Sequence, residues 1–208
     1  MARGRLITIE GIDGAGKTTL AIALHDALRE RDIDVELLRE PGGVPAAERI
    51  RELVKDPGAQ IGARAEALLY AAARAQLVSE ALEPRLNAGT HVLLDRFVDS
   101  SLAYQGAGRE LGIDAVRAIN AFATGGLVPD RTLLLTIEPA LGRTRSRDRD
   151  PGAEPDRLER EADAFFARIA DAYAALAAAE PERFVTIDAG RAPEAVLADA
   201  LAAVADLV

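Results

Sequence analysis

Cysteine is absent from the 208 residues of this chain, and histidine occurs only twice. Without thiols there is no disulfide framework, thiolate metal site or cysteine nucleophile. Two histidines are too few for a histidine-based metal site, so we interpret His25 as a structural residue within a helix and His91 as one at the start of a strand. Lysine is also scarce: Lys17 and Lys55 stand alone among 25 lysines and arginines, so a lysine within a motif suggests that an ammonium group is needed there.

Long apolar runs and an excess of positive charge are missing as well. No stretch reaches the roughly 18 apolar residues of a membrane-spanning helix, and the first strand begins too soon after Met1 for a signal peptide. The formal net charge of −9 disfavours non-specific binding to nucleic acid or to anionic membranes. We therefore expect a cytoplasmic enzyme, without a nucleic-acid or membrane partner, that holds any polyanion with local arginine clusters.

The clearest motif is a glycine-rich stretch, GIDGAGKT, which matches the phosphate-binding pattern G-x-x-x-x-G-K-[ST] at every required position. An apolar run precedes it and leucines at helical spacing follow it, as the pattern requires. Glycines let the backbone aim N–H groups at phosphate oxygens, while the lysine adds a charge and the threonine a ligand for Mg²⁺. The motif predicts a binding site for a nucleoside polyphosphate at Gly11, Asp13, Gly14, Ala15, Gly16, Lys17, Thr18 and Thr19.

Strand-like and helix-like segments alternate along the chain. Apolar runs predict five strands, near residues 6–9, 35–38, 92–94, 132–137 and 184–187. Helical patterns between them include two long ones, over 63–86 and 156–179. The alternation predicts an α/β fold in which helices cover both faces of a five-stranded parallel sheet. Since neither a repeat nor a linker interrupts it, we predict one domain over residues 1–208.

Two groups of side chains could contribute to a site. Asp95 and Arg96 follow an apolar run, and open α/β sheets bind ligands at the carboxyl ends of their strands. The carboxylate could organise Mg²⁺ and the guanidinium could hold a phosphate, although a surface ion pair is the alternative. Two pairs at i, i+4 spacing could hold a nucleobase, with core residues as the alternative; they are Tyr70 with Arg74 and Ser101 with Gln105.

Arginine recurs at every second position from 143 to 149. Alternate positions do not share one face of a helix, so this is not a packing pattern. We interpret the segment as a mobile lid, over about 143–157, which brings guanidinium groups over a polyphosphate. A solvated loop is the alternative.

Five stretches together resemble the bacterial thymidylate kinases over essentially the whole chain. They are IEGIDGAGKTT (9–19), REPGG (39–43), LYAAARAQ (69–76), DRFVDSSLAYQG (95–106) and DRLE (156–159). The resemblance implies a P-loop NTPase fold, transfer of the γ-phosphoryl group of ATP to dTMP with Mg²⁺, a place in dTTP biosynthesis and a homodimer. The long helix near 63–87 offers an apolar face for dimerisation, although it could pack on the chain's own sheet.

The resemblance also implies a role for each matched residue. Asp13 would bind the nucleotide 3′ hydroxyl, and Arg39 and Arg96 would hold the acceptor phosphate. The residues implied for the metal are Thr18, Asp95 and Glu159. For the acceptor nucleoside, the implied residues are Tyr70 stacking on thymine, Arg74 reaching O4, Ser101 and Gln105 at N3 and the pocket wall, and Tyr104 against the deoxyribose.

The lid would carry further catalytic groups beside Lys17 and Arg96. Some family members have an arginine inside the glycine loop where this chain has Gly14, and members with glycine there resemble this chain in supplying it from the lid. The candidates are Arg145, Arg147 and Arg149. Closure of the lid would exclude water, so that ATP is not hydrolysed without dTMP.

Other readings of the sequence remain open. A P-loop kinase could act on a different nucleoside or nucleoside monophosphate. A GTP-hydrolysing switch is disfavoured because the chain has no Asn-Lys-x-Asp stretch of the guanine-recognition type. A homologue that binds nucleotide without catalysis is disfavoured by the complete glycine loop and by Asp95 and Arg96.

Overall fold

Parallel strands form the centre of the structure, a computed structural model in which residues 3–149, 157, 158 and 160–208 are described, without the side chains of 147–149. Five strands pair in the order β2-β3-β1-β4-β5, and every pairing is parallel. Their bounds are β1 Leu6–Gly11, β2 Val35–Arg39, β3 His91–Asp95, β4 Arg131–Thr136 and β5 Phe184–Asp188. The predicted fold class and the five strands are confirmed.

Helices connect the strands and cover both faces of the sheet. In the part of the chain that is described, the α-helices are α1 Lys17–Arg29, α2 Pro45–Lys55, α3 Ala63–Leu77, α4 Glu83–Ala88, α5 Val98–Ser101, α6 Ile113–Thr124, α7 Pro139–Arg149, α8 Asp163–Ala179 and α9 Pro193–Val204. Two π-helical segments, Val78–Leu82 and Leu102–Gly108, follow α3 and α5. None of the helices described here is long and apolar enough to cross a membrane.

Alternate residues of the central strands point to opposite faces and build two separate cores. Ile7 and Leu93 join one cluster, with side chains of α1, α8 and α9. Leu6 and Leu94 join the other, under the π segment Val78–Leu82 and α4. All of β1 is buried because it lies between β3 and β4, so its carboxyl end opens at the middle of the sheet edge.

Two helix predictions need correction. The helix expected over 63–86 is interrupted by the π segment Val78–Leu82, and Pro84 follows in the first turn of α4, since proline has no N–H for the i→i−4 hydrogen bond of a regular helix. The helix expected over 156–179 begins only at Asp163, because Ala162 has an extended backbone. The expected helix start at Asp156 lies outside the described residues.

Candidate functional site

The glycine-rich loop joins β1 to α1 at the carboxyl edge of the sheet. Its backbone has positive φ at Gly14 (76°), and a Cβ there would stand 1.8 Å from the carbonyl oxygen of Gly142. Glycine is therefore required for this loop to lie directly against the start of α7. The loop passes into α1 through Gly16, so the first N–H groups of that helix are left without intrahelical partners for an anion.

Lys17 occupies the first position of α1, and its side chain folds back over the loop. Its Nζ donates a 2.8 Å hydrogen bond to the carbonyl oxygen of Ile12. Burial and the nearby Arg96 guanidinium lower the pKa of Lys17 to about 8, against the opposite pull of Asp13 and of two further carboxylates. The nearby carboxylates therefore only partly offset the cost of burying the Lys17 ammonium group, and the negative charge of a bound polyphosphate would stabilise it further.

Thr18 and Asp95 face each other where α1 begins and β3 ends. The Thr18 hydroxyl donates to Oδ2 of Asp95 over 2.7 Å, while Oδ1 of the same carboxylate is buried without a hydrogen-bond partner. A hydroxyl and a carboxylate with an unused oxygen suit Mg²⁺, which takes oxygen ligands. Since no group of three acidic, histidine or cysteine side chains gathers in the described residues, water and phosphate oxygens would complete the coordination.

Arg96 projects into the space between the loop and the end of β3. Its Nη2 donates to Oδ1 of Asp13 over 2.5 Å, and its guanidinium lies 5.0 Å from the ring centroid of Tyr104, whose hydroxyl donates to Oδ2 of Asp13. Although burial opposes it, the positive charge of Arg96 and Lys17 lowers the pKa of Asp13 to about 2. Arg96 is therefore held by a carboxylate that remains charged at any working pH.

Glu10, which the sequence analysis did not single out as a site residue, holds the turn that carries Arg96. It is fully buried and accepts hydrogen bonds from Phe97 N, Ser100 N, Ser100 Oγ and Tyr173 Oη. Ser100 Oγ in turn accepts a 3.1 Å hydrogen bond from Arg96. Glu10 therefore fixes the turn after β3 that carries Arg96, whose φ of 71° is unusual for a residue with a side chain.

Arg74 extends from α3 beneath the wall of the site and is 2% exposed. Its Nε donates to Glu40, its Nη1 to Ser101 Oγ and to Asn120, and its Nη2 to the carbonyl oxygen of Phe97. Every nitrogen of the guanidinium therefore already has a protein acceptor. A base oxygen would have to share or replace one of these acceptors, of which Glu40 and Ser101 line the cavity.

Arginines on β2 and α2 approach the site from a third direction. Arg39 donates to Glu48 over 2.9 Å, and its side chain is 54% exposed and so available to a ligand. Arg51, absent from the sequence predictions, donates to the carbonyl oxygen of Pro41 over 2.8 Å. Burial and the neighbouring Arg39 lower the pKa of Arg51. Two mutually repelling cations on one wall would be stabilised by an anion between them.

These groups enclose one elongated cavity of about 810 Å³. It extends from the wall of Tyr70 and Gln105, past the glycine loop, to Arg145 of α7 and the β5–α9 connection at Ala189. Arg145 donates to the carbonyl oxygen of Ala189 over 2.8 Å. The predicted site residues that line the cavity are Asp13, Gly14, Ala15, Gly16, Lys17, Thr18, Thr19, Arg39, Tyr70, Arg74, Asp95, Arg96, Ser101, Tyr104, Gln105 and Arg145.

The remaining predicted site residues either do not line the cavity or lie outside the described part of the chain. Gly11 does not line the cavity, and its carbonyl oxygen instead accepts a 3.3 Å hydrogen bond from Arg96. Glu159 lies outside the described residues, as do the side chains of Arg147 and Arg149. Helix α7 contains the whole arginine stretch, and Arg143 turns away from the cavity toward Asp163 at 3.3 Å. The arginine-rich segment is thus helical through Arg149.

A glycine loop between the first strand and helix of a parallel sheet, with arginines facing it across one cavity, defines a P-loop phosphotransferase. The family model described as Thymidylate kinase matches residues 9–200. The chain therefore belongs to the thymidylate kinase family.

Known thymidylate kinases are similar to this chain over nearly their full length. The chain is 48% identical to a thymidylate kinase of Deinococcus radiodurans, with 99% of this chain and 98% of the relative covered. It is 46% identical to thymidylate kinases of Halothermothrix orenii (93% of each chain covered) and of Halalkalibacterium halodurans (97% and 96% covered).

Proposed function

We propose that this chain transfers the γ-phosphoryl group of ATP to dTMP, giving dTDP for dTTP biosynthesis. The observation that carries the proposal is that one cavity joins a phosphate-binding loop to an arginine-lined acceptor wall in a thymidylate kinase family member. An acceptor phosphate oxygen would attack the γ-phosphorus in line as the bond to the β-phosphate oxygen breaks. The reaction needs no protein nucleophile, so catalysis consists of positioning two anions and screening their repulsion.

The donor half of the site would lie at the glycine loop. The N–H groups of Gly14 to Thr18 would bind the β- and γ-phosphates, and the Lys17 ammonium would exchange its contact with Ile12 for phosphate oxygens. At the other end of the cavity, Arg145 and the β5–α9 connection would face the donor's adenosine. Arg145, Arg147 and Arg149 remain the proposed lid arginines, with the lid at about 143–157 excluding water.

The acceptor half would lie between β2, β3 and α3. Arg96 and Arg39 would hold the dTMP phosphate, and Arg51 is a further cation on the same wall. Tyr70 would stack on thymine, and Tyr104 would close on the deoxyribose, whose 3′ hydroxyl would meet Asp13. For thymine O4, Arg74 would share the N–H that it now donates to Ser101.

We also propose that Mg²⁺ binds beside the glycine loop, because the oxygen ligands there suit this cation. Thr18 and Asp95 would hold it directly or through water, with Glu159 as a further candidate, and the cation would neutralise charge on the transferred phosphoryl group. The unused, buried Oδ1 of Asp95 supports this assignment.

The organisation of the protein completes the proposal. We propose one domain over residues 1–208, active in the cytoplasm where ATP is consumed. We also propose a homodimer through α3 and α6, which pack against each other and expose Leu68 and Phe122.

An ADP-release assay with an acceptor panel tests the reaction. With ATP and Mg²⁺, we expect strong turnover on dTMP, weaker turnover on dUMP and little on dCMP, dGMP or no acceptor. Turnover on a different acceptor would retain the kinase and contradict the base pocket. Comparable ATP hydrolysis without any acceptor would contradict water exclusion by the lid, and no turnover despite ATP binding would contradict the reaction.

Asp95→Asn tests the metal site. The amide keeps the shape of the carboxylate but weakens its bond to a cation, so the Mg²⁺ concentration for half-maximal rate should rise about tenfold or more. A Mg²⁺ titration at saturating ATP and dTMP measures it. Asp34→Asn, which changes an exposed carboxylate, is the matched control and should leave the titration unchanged. An identical titration for both variants would exclude Asp95 from metal binding.

A further inference from the structure

Glu66 of α3 is a fully buried carboxylate that the proposed reaction does not use. Three side chains surround it in the part of the chain that the structure describes, and one of them, Arg109, contacts both carboxylate oxygens, with its Nε donating to Oε1 over 3.3 Å and to Oε2 over 3.2 Å. Gln105 Nε2 donates to Oε1 over 2.8 Å, while Arg157 and Arg109 bring Nη2 atoms to 2.6 Å and 3.1 Å from Oε2. The two guanidinium groups provide the compensation that a buried carboxylate requires, so Glu66 has a fixed place in the fold.

A carboxylate accepts hydrogen bonds and cannot donate them, so Glu66 determines which end of the Gln105 carboxamide faces it. We propose that Glu66 is a positioning residue that fixes the Gln105 carboxamide with its oxygen toward the acceptor base. Gln105 lines the cavity, and with Nε2 committed to Glu66 its Oε1 lies on the opposite side of the amide group. The inference rests on the proposed function, in which this part of the cavity holds a pyrimidine.

The orientation matters because pyrimidines differ in hydrogen-bonding character at N3. Thymine and uracil carry an N3–H donor, which an amide oxygen accepts. Cytosine has an unprotonated N3, which an amide oxygen repels and an amide N–H would bind. A Gln105 held by Glu66 therefore favours thymine and uracil over cytosine, whereas discrimination between thymine and uracil depends on the methyl group and not on Gln105. Glu66 thus acts on specificity through Gln105 without touching the nucleotide.

Glu66→Gln reverses this arrangement with almost no change in shape. The introduced carboxamide has one oxygen and one NH₂ group, and the two guanidinium groups around the Oε2 position both require an acceptor. Two Nη2 atoms and Arg109 Nε lie at the Oε2 position, whereas only the longer Arg109 Nε contact of 3.3 Å lies at the Oε1 position beside Gln105. The oxygen should therefore face the Oε2 side, and the NH₂ group should face Gln105. Gln105 would then turn its own oxygen toward position 66 and offer Nε2 to the base.

The test compares kcat/KM for dTMP, dCMP and dUMP in the wild type, in E66Q and in E36Q. In E66Q we expect the preference for dTMP over dCMP to fall at least about tenfold, mainly through KM, because a repulsive polar contact becomes attractive for cytosine. The preference for dTMP over dUMP should stay within about twofold of the wild type. E36Q makes the same chemical change at an exposed carboxylate paired with Arg85 and should alter neither ratio.

The outcomes separate this inference from the proposed function. If the wild-type protein has no activity on dTMP, both the proposed function and the inference are overturned. Wild-type activity on dTMP with an unchanged dTMP to dCMP ratio in E66Q overturns the inference alone, and so does an equal fall in both ratios, which would indicate general disorder of the pocket. If E66Q does not fold, the double variant E66Q/R157M, which removes a guanidinium with the carboxylate, carries the same test.

Discussion

Asp13 shows how a single carboxylate can organise both halves of the site. It accepts hydrogen bonds from Arg96 and Tyr104, and its low pKa keeps it charged. The pair is partly exposed, with 18% of the Arg96 side chain and 31% of the Asp13 side chain accessible, so its value lies in orientation more than in stability. Arg96 therefore meets an incoming phosphate in a direction that the protein has already fixed.

Asp13→Asn should misorient Arg96 while leaving the fold intact. We expect kcat/KM for dTMP to fall about 10- to 100-fold, which corresponds to about 1.4–2.8 kcal/mol of transition-state stabilisation. Steady-state kinetics with dTMP varied at saturating ATP would measure the loss. Asp34→Asn changes a carboxylate that is 69% exposed and should have the activity of the wild type. A D13N enzyme with unchanged kcat/KM would show that Arg96 does not depend on this carboxylate.

The β1–α1 connection is the element in which sequence and geometry agree most closely. At Gly14 the positive φ and the contact with the Gly142 carbonyl oxygen both exclude a side chain, and the obstacle is backbone that cannot move aside. Helix α7 and the phosphate loop are consequently in direct contact. The loop that would bind the donor phosphates therefore also positions the helix that carries the arginines.

Gly14→Ala should weaken ATP binding strongly. We expect the Kd for ATP, measured by calorimetry, to rise at least about thirtyfold, or roughly 2 kcal/mol, since the loop must shift away from α7. Gly62→Ala is the matched control, because a Cβ at Gly62 meets nothing within 4 Å and φ there is −69°. The control should change neither the Kd nor the stability by more than about 0.5 kcal/mol. Equal affinities in the two variants would contradict this account of the loop.

Glu10 links β1 to the turn after β3 and should make stability depend on pH. Burial and the nearby Asp99 carboxylate raise its pKa to about 7 from 4.5. The folded protein therefore binds this proton more tightly than the unfolded chain, so the stability contributed is complete below about pH 4.5 and is lost as the pH rises through about 7.

Glu10→Gln removes this titration and so provides its measurement. The free energy of unfolding of the wild type relative to E10Q should decrease between pH 5 and 7.5, by on the order of 1–3 kcal/mol. Urea denaturation of both proteins at several pH values within this range gives the difference directly. A difference that stays constant with pH would show that Glu10 does not change its protonation there.

At the scale of the whole molecule, prediction from sequence succeeded where the signal was local. The strands and the glycine loop depend on neighbouring residues, and parallel pairing then brings Asp95 to the same edge as the loop. The supporting carboxylates were missed because their partners are distant in sequence: Glu10 binds Ser100 90 positions away, and Glu66 binds Arg109 43 positions away. A glutamate in a strand or an alanine-rich helix carries no local sign of such a partner.

The same limit applies to the outer surface, where exposed apolar side chains indicate a partner only once the helices are placed. Phe122 on α6 is 93% exposed and Leu68 on the adjacent α3 is 55% exposed, as expected for the centre of a homodimer interface. We expect the double variant L68E/F122E to be monomeric by light scattering. Its melting temperature should be close to that of the wild-type protein at a concentration below the dimer dissociation constant, where the wild type is also monomeric. Leu141→Glu, at a side chain 41% exposed on α7, should remain dimeric. A wild-type mass of one chain at micromolar concentration would contradict the dimer, whereas a dimeric double variant would move the interface elsewhere.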